Sequence, residues 1–433
     1  MNNYTTETAQ IKRGILNFCK KISKGLCKPA QKLCQDMIFG ICARKSVLLT
    51  DISRGLQEDI KLAYTVDRLS GHLSNMQEED EIAFKENYES EALKLIDSED
   101  EYVIVLNDDT DISHEQAKKM EDLCIVKDAS SKQEKYVKGY KGCEYVALSA
   151  NMKSPISLYS KIYSTESDGF ISENNETIIG EEKIIKILNR INKKPILVRD
   201  RGYDANEFFK RDIESDIKFI TRLKKNRNLI FKNKNENAYE HVLRGKGKIS
   251  IKLMYKGENR DCYISYTKVK LPCCKEKEVT LVTVYGLDYK DNDGEEEERV
   301  LMFLTNLDVK DKDNAIKIVY TYFLRWRIEE YFKAKKSYKW ESSLIRSLKG
   351  INNLNMFLNM VMLYSNEHIE KLDRNFLSNI LLERSLQIKE KCLVYLGQIR
   401  DGIYEILKFS KNGIKNFQNI KHKEKYKQLE LIL

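Results

Sequence analysis

Tyr102-Val103-Ile104-Val105-Leu106-Asn107-Asp108-Asp109-Thr110 changes character half-way along. Its first five residues are apolar, β-branched or aromatic without a break, which predicts a strand buried on both faces. The acidic run that follows predicts a turn. Working outward, strands are expected at 144–152 and 156–163, an amphipathic helix at 181–191, a short strand at 195–198 and a helix at 204–212. A strand at 217–221 completes the set. Three strands, a helix, a strand, a helix and a strand make a mixed α/β unit. Acidic residues close its first and fourth strands, at Asp108 and at Arg199-Asp200-Arg201-Gly202. The carboxyl ends of strands in such sheets are where sites form.

The flanks read differently. Residues 1–95 are expected to be helical, with one helix through Leu56, Ile60 and Leu62 capped by Thr50 or Asp51 and broken at Gly71, and another at 81–95. Residues 228–305 alternate like antiparallel strands, at 246–252, 261–270, 279–285 and 300–304. The acidic stretch 291–298 reads as an exposed turn between the last two. From 313 onward the pattern is helical, through 351–368 and 390–409. The expected organisation is therefore a helical module at 1–95, a core at 96–227, a β-rich insertion at 228–305, the core again at 306–345 and a helical region at 346–433.

The 433 residues carry 75 Lys and Arg against 66 Asp and Glu, a mild excess of +9 that by itself points only modestly to nucleic acid. Its placement says more. The first 50 residues hold nine basic and two acidic side chains, which suits a phosphate-contacting arm as well as it suits a solvated helix face. No apolar run approaches the roughly 18–20 residues that span a bilayer, and 1–10 is polar, so a cytoplasmic protein is expected. Cys19, Cys27, Cys34 and Cys42 follow a helical period instead of a ligand knuckle and are expected to be buried apolar residues.

The stretch Tyr322-Phe-Leu-Arg325-Trp-Arg-Ile-Glu329-Glu-Tyr-Phe-Lys-Ala-Lys-Lys336 carries chemistry. On one continuous α-helix, Tyr322, Arg325, Glu329 and Lys336 fall within roughly 60° of a single stripe. A carboxylate flanked by two cations and a phenol can hold a divalent metal while its neighbours grip phosphates. An intrahelical Arg325–Glu329 ion pair on a solvated face is the plainer alternative.

The spacing Tyr, two residues, Arg, three, Glu, six, Lys resembles the signature of the family-four insertion-sequence transposases, cut-and-paste enzymes of bacteria. Two further motifs agree in order. Val-Ile-Val-Leu-Asn-Asp-Asp-Thr resembles the family's first acidic strand end, with Asp108 followed two residues later by Thr110; Asp109 is the rival and Asp111 a weaker third. Val198-Arg-Asp200-Arg-Gly202-Tyr resembles the second, Asp-Arg-Gly, where the plainer reading makes Asp204 a helix N-cap. Phe219–Lys224 resembles the family's strand with a basic tail, which makes Arg222 a phosphate contact, and Leu304-Thr-Asn-Leu307 recurs ahead of the signature.

The resemblance covers about residues 100–345. It implies a ribonuclease-H-like core with a β-rich insertion, flanked by helical regions, and Asp108, Asp200 and Glu329 as catalytic and metal-binding carboxylates. Tyr322, Arg325, Lys336 and Arg222 would hold DNA. Oxygen-rich sites suit Mg²⁺, with Mn²⁺ able to replace it. Water would cut at the transposon end, and the freed 3′-hydroxyl would attack the opposite strand or target DNA. The partners implied are double-stranded terminal-repeat and target DNA, and a second copy of the chain in a synaptic complex. Some relatives stack an insertion Trp on a flipped base; here both tryptophans lie outside 228–305, leaving Phe303 or a Tyr as the substitute. A nuclease on the same core, or a domesticated or decayed DNA-binding protein, are the alternatives. The full Tyr-Arg-Glu-Lys set disfavours the first, and the presence of all three carboxylates disfavours decay.

Overall fold

The structure, a computed structural model, describes residues 3–128, 134–255, 258–287, 300–372, 374–385, 395–408, 410 and 413–414. The chain opens with five helices, α1 (Asn3–Ile22), α2 (Lys28–Arg44), α3 (Leu49–Leu56), α4 (Leu62–Ser74) and α5 (Glu78–Ile96). Strands β1 (Tyr102–Ser113), β2 (Cys124–Lys127), β3 (Tyr136–Leu148) and β4 (Pro155–Tyr163) follow, then α6 (Glu173–Asn189), β5 (Lys194–Arg199), α7 (Asn206–Glu214) and β6 (Lys218–Arg222). Next come β7 (Asn228–Phe231), β8 (Lys234–Asn237), α8 (Ala238–Leu243), β9 (Ile249–Tyr255), β10 (Glu258–Leu271), β11 (Cys274–Tyr285) and β12 (Val300–Thr305). The remainder is helical: α9 (Lys312–Phe323), α10 (Trp326–Ser337), α11 (Leu348–Ile369), α12 (Phe376–Arg384) and α13 (Leu396–Leu407). The expected α/β class holds, as a mixed sheet with helices on both sides. The acidic stretch 291–298, and the parts of 390–409 before 395 and at 409, lie outside the described residues.

The chain divides into two units, whose boundaries fall between α5 and β1 and inside β1, α6 and α10. The smaller comprises Glu99–Asp108 and Leu188–Ile328, the larger Met1–Ser98, Asp109–Ile187 and Glu329–Leu433.

In the smaller unit the strands run in the order β1-β5-β6-β12-β11-β10-β7-β8, with β9 on β10. The β1–β5 and β5–β6 pairs are parallel, and every pairing beyond β6 is antiparallel. Parallel strands cannot be joined by a tight turn, and α7 supplies the crossover from β5 to β6. Its Phe209 packs on Phe219 of β6, with ring centroids 5.4 Å apart. Val105, Leu106, Leu197, Val198, Phe219 and Ile220 are fully buried, as runs without alternation require of central strands. The hairpin β7–β8 escaped the sequence reading. Its turn, Lys232-Asn233, has φ of 46° and 69°, the pair of left-handed residues that a two-residue hairpin demands, built without the Asn-Gly that would advertise it.

In the larger unit β2 and the last residues of β1 flank β3, and β4 also pairs with β3. The helix α11 packs beside β4. Asn352 accepts the Ile162 N–H and donates to the Ile162 carbonyl, both at 2.9 Å, and Asn366 donates to the Pro155 carbonyl at 2.8 Å. Side-chain amides thus satisfy backbone groups that a neighbouring strand would otherwise take.

Several expectations need correction. The acidic run after Leu106 is no turn, because β1 continues to Ser113 and changes partner there. Neither Thr50 nor Asp51 caps a helix: α3 starts at Leu49, and Asp51 instead accepts from Ser46 and pairs with Lys339. That helix ends at Leu56, with Gln57 left-handed at φ 51°, and Gly71 lies inside α4 instead of ending it. Three of the four N-terminal cysteines are buried as expected, whereas Cys27 is exposed. Among the described residues no helix is long and apolar enough to cross a membrane.

Candidate active site

Asp108 and Asp200 follow directly on a matched pair of residues. Asn107 of β1 and Arg199 of β5 are the last register partners of that parallel pair, so Asp108, where β1 runs on, and Asp200, where β5 has ended, follow at the same level. This is the position at which open α/β sheets place their ligands.

Local chemistry then fixes each carboxylate. Asp200 accepts the Gly202 N–H at 2.6 Å and caps the single 3₁₀ turn Arg201–Tyr203. A β-carbon at Gly202 would stand 2.8 Å from the same Asp200 oxygen, which is why the motif ends in glycine. Behind it, Arg199 is fully buried and forms a 2.6 Å ion pair with Asp212 of α7. This ties the strand that presents Asp200 to the following helix. Asp204 is not a side-chain cap: Ala205 precedes α7 at that position, and the Asp204 carboxylate takes the Lys224 N–H at 2.7 Å and pairs with Arg227 at 2.5 Å.

Asp108 and Asp109 point to different surroundings, as successive strand residues must. Asp108 Oδ2 lies 3.2 Å from Arg325 Nη1, both side chains partly shielded from solvent. Asp109 acts instead on Cys143, whose thiol is pushed well up by burial and then by this carboxylate, and on Tyr163, raised first by burial and then by Asp109.

Arg325 and Tyr322 do not share one helix with Glu329. The helix breaks at Leu324–Arg325, where Arg325 N–H bonds to the Tyr322 carbonyl and Ile328 N–H to that of Arg325, a tightened three-residue pattern. The single-stripe geometry expected from an unbroken helix therefore does not apply across the break. Tyr322 stacks on Phe303 at 4.2 Å between centroids, and Phe303 is the register partner of Arg222 across β12 and β6. Burial raises the Tyr322 phenol; the nearby Arg325 and Arg222 guanidiniums pull it back, and Asp200 pushes it up. Asp108, Asp200, Arg222, Tyr322 and Arg325 all belong to the smaller unit: Asp108 meets Arg325, and Arg325, Arg222 and Asp200 all act on the Tyr322 phenol. Phe303, fully buried under Tyr322, is not an exposed stacking platform; Tyr263 and Tyr266 on β10 are exposed.

The Leu304–Leu307 motif now has a structural role. Asn306 accepts the Phe219 N–H and donates to the Ile217 carbonyl, and Thr305 donates to the Phe219 carbonyl at 2.7 Å. Together they lock β12 onto β6. Glu329 and Lys336 belong to the larger unit. Glu329 is partly exposed while its neighbour Glu330 is buried, and exposed Lys336 pairs with Glu341 at 2.9 Å. Among the described residues no group of three or more His, Cys, Asp or Glu side chains is arranged to hold a metal ion. Asp108 and Asp200 nonetheless offer hard carboxylate oxygens, which fit a hard divalent cation.

A mixed α/β sheet that carries two carboxylates on adjacent strands, with Arg325 against one of them and Tyr322 and Arg222 nearby, offers hard oxygens for a cation and guanidiniums for phosphates. The chain matches the family described as Transposase DDE domain over residues 99–364, more than half its length, and belongs to that family. Its core is accordingly ribonuclease-H-like, and it is a transposase of the DDE class, acting in transposition and DNA recombination. Such enzymes generally use divalent metal ions. No curated protein matches the chain.

Proposed function

We propose that this transposase is of the family-four, Tyr-Arg-Glu-Lys type from a bacterial insertion sequence. It cuts DNA at the ends of its element and joins the freed 3′ ends to target DNA. The observation that carries this reading is that Asp108 and Asp200 each follow directly on the matched residues Asn107 and Arg199 of adjacent strands, with Arg325 against Asp108.

Asp108, Asp200 and Glu329 would hold Mg²⁺ or Mn²⁺, which when bound activates the attacking oxygen and steadies the leaving one. Arg325 and Arg222 bind the phosphates flanking the scissile bond, and Lys336 does so from the signature helix. Tyr322, wedged on Phe303, orients the Arg325 guanidinium. Water and then the 3′-hydroxyl serve as successive nucleophiles, so no covalent protein–DNA intermediate is needed. Residues 1–95 bind the terminal repeat, 228–305 form an insertion within the core of 96–227 and 306–345, and 346–433 are a helical region. Two copies hold two ends together in the cytoplasm of a bacterial cell.

The test is cleavage of a labelled duplex carrying the element's own end with Mg²⁺ or Mn²⁺, comparing the wild type with Glu329→Ala and Asp200→Ala. Metal-dependent nicking that both substitutions abolish, with DNA binding retained, is the expected result. Cleavage that persists in both variants overturns the triad. End binding without cleavage by the wild type turns the reading to a domesticated DNA-binding protein.

A further inference from the structure

The larger unit contains a buried ion pair that the chemistry above does not use. Lys335 on α10 and Glu144 on β3 are 4% and 1% exposed, with Nζ 2.5 Å from Oε1. Ser160 on β4 donates to the same Glu144 oxygen at 2.7 Å. Tyr331, also on α10, donates to Asn359 of α11 at 2.8 Å and stands 3.3 Å from the other Glu144 oxygen. The Lys335 ammonium lies 5.3 Å from the Tyr331 ring centre and 5.6 Å from that of Trp340. Two helices and two strands meet in this one polar knot.

A buried pair of this kind adds little net stability, because desolvation of both charges offsets their attraction. Its effect is selective. Turning α10 by one residue, about 100°, would carry the ammonium away and leave a buried carboxylate uncompensated. The same slip would exchange partly exposed Glu329 for buried Glu330, its neighbour on the helix. We propose that Glu144 and Lys335 are positioning residues that fix the rotation of α10 and thereby aim Glu329. This rests on the reading of Glu329 as the third carboxylate.

The experiment compares the full-length wild type with Glu144→Gln/Lys335→Met, which removes both charges and keeps an acceptor for Ser160 and Tyr331. Three quantities are read: end cleavage, thermal midpoint, and Mn²⁺ affinity without DNA by electron paramagnetic resonance. The expected double variant melts close to the wild type and binds DNA ends equally. Its kcat falls about tenfold to a hundredfold at unchanged KM, and Mn²⁺ binding weakens about threefold or more. A folded double variant with wild-type kcat and Mn²⁺ affinity overturns the proposal. If that variant does not fold, Glu144→Asp, which keeps the charge but draws the carboxylate back from the Lys335 ammonium, decides in the same way: a lowered kcat with weakened Mn²⁺ binding supports the proposal, and both unchanged overturn it. Glu329→Ala separates the two levels. Cleavage by that variant removes the underlying reading, whereas its inactivity beside a fully active double variant removes only the positioning role.

Discussion

The guanidinium of Arg325 lies 3.2 Å from the Asp108 carboxylate. A cation bound there and a metal bound there compete for one negative charge. Without DNA, Arg325→Gln is therefore expected to bind Mn²⁺ about threefold to tenfold more tightly, since a half-shielded ion pair is worth about 1 kcal/mol. Its cleavage should fall about a hundredfold, because the phosphate grip is lost. Mn²⁺ titration followed by electron paramagnetic resonance checks the first part, and unchanged or weaker binding would refute the competition.

Asp108 and Asp109 are separated by their surroundings, one on Arg325 and the other on Cys143 and Tyr163. Asp108→Asn is expected to reduce end cleavage by about a thousandfold or more, as loss of a metal-holding carboxylate should. Asp109→Asn should stay within about tenfold of the wild type. Single-turnover cleavage of the two variants decides between them, and the reverse order would move the first carboxylate to Asp109.

Gly202 leaves no room for a side chain, with the Asp200 oxygen 2.8 Å from where a β-carbon would sit. Gly202→Ala is expected to displace that carboxylate and lower kcat about a hundredfold, the usual scale for a misplacement near 1 Å. DNA binding measured by anisotropy should be unaffected. A fully active Gly202→Ala would show that Asp200 need not hold its present position.

His368 is held neutral. Burial, followed by the Lys371 charge, lowers it from 6.5 to about 4, and its ring stands 3.1 Å from Ser378 Oγ. Above pH 6.5 neither the folded nor the unfolded chain carries the proton. Between 6.5 and about 4 the unfolded chain takes up a proton that the folded one refuses, so stability falls as pH falls across that window, by about 3 kcal/mol in all. Thermal midpoints recorded from pH 7.5 to 4.5 should show a slope that His368→Gln reduces. An unchanged slope would assign the acid sensitivity to other groups.

The central strands were legible because their residues are apolar in unbroken runs, and both Asp108 and Asp200 stand where those runs stop. The continuation of β1 through Asp108–Ser113 was not, since aspartate disfavours strands and the pairing with β3 comes from another part of the chain. No proline or glycine marks the break at Leu324–Arg325. It coincides with the stacking of Tyr322 on Phe303, a contact between a helix and a strand that periodicity does not report. Lys335 sits in Lys-Ala-Lys-Lys, which reads as a solvated face; its burial depends on Glu144, 191 residues away. Periodicity reports which side of an element is apolar and is silent about a charge whose partner comes from another element.

The paired amide contacts of Asn352 with Ile162 also bear on how copies of the protein associate. A bare outer strand invites another chain to extend the sheet, a frequent route to unwanted fibres and to casual dimers. Along this stretch of β4 the invitation is withdrawn, because the groups a visiting strand would grasp are already taken. On the proposed reading, in which two copies hold two DNA ends, such a closed margin leaves the mating of those copies to other surfaces or to the DNA they share.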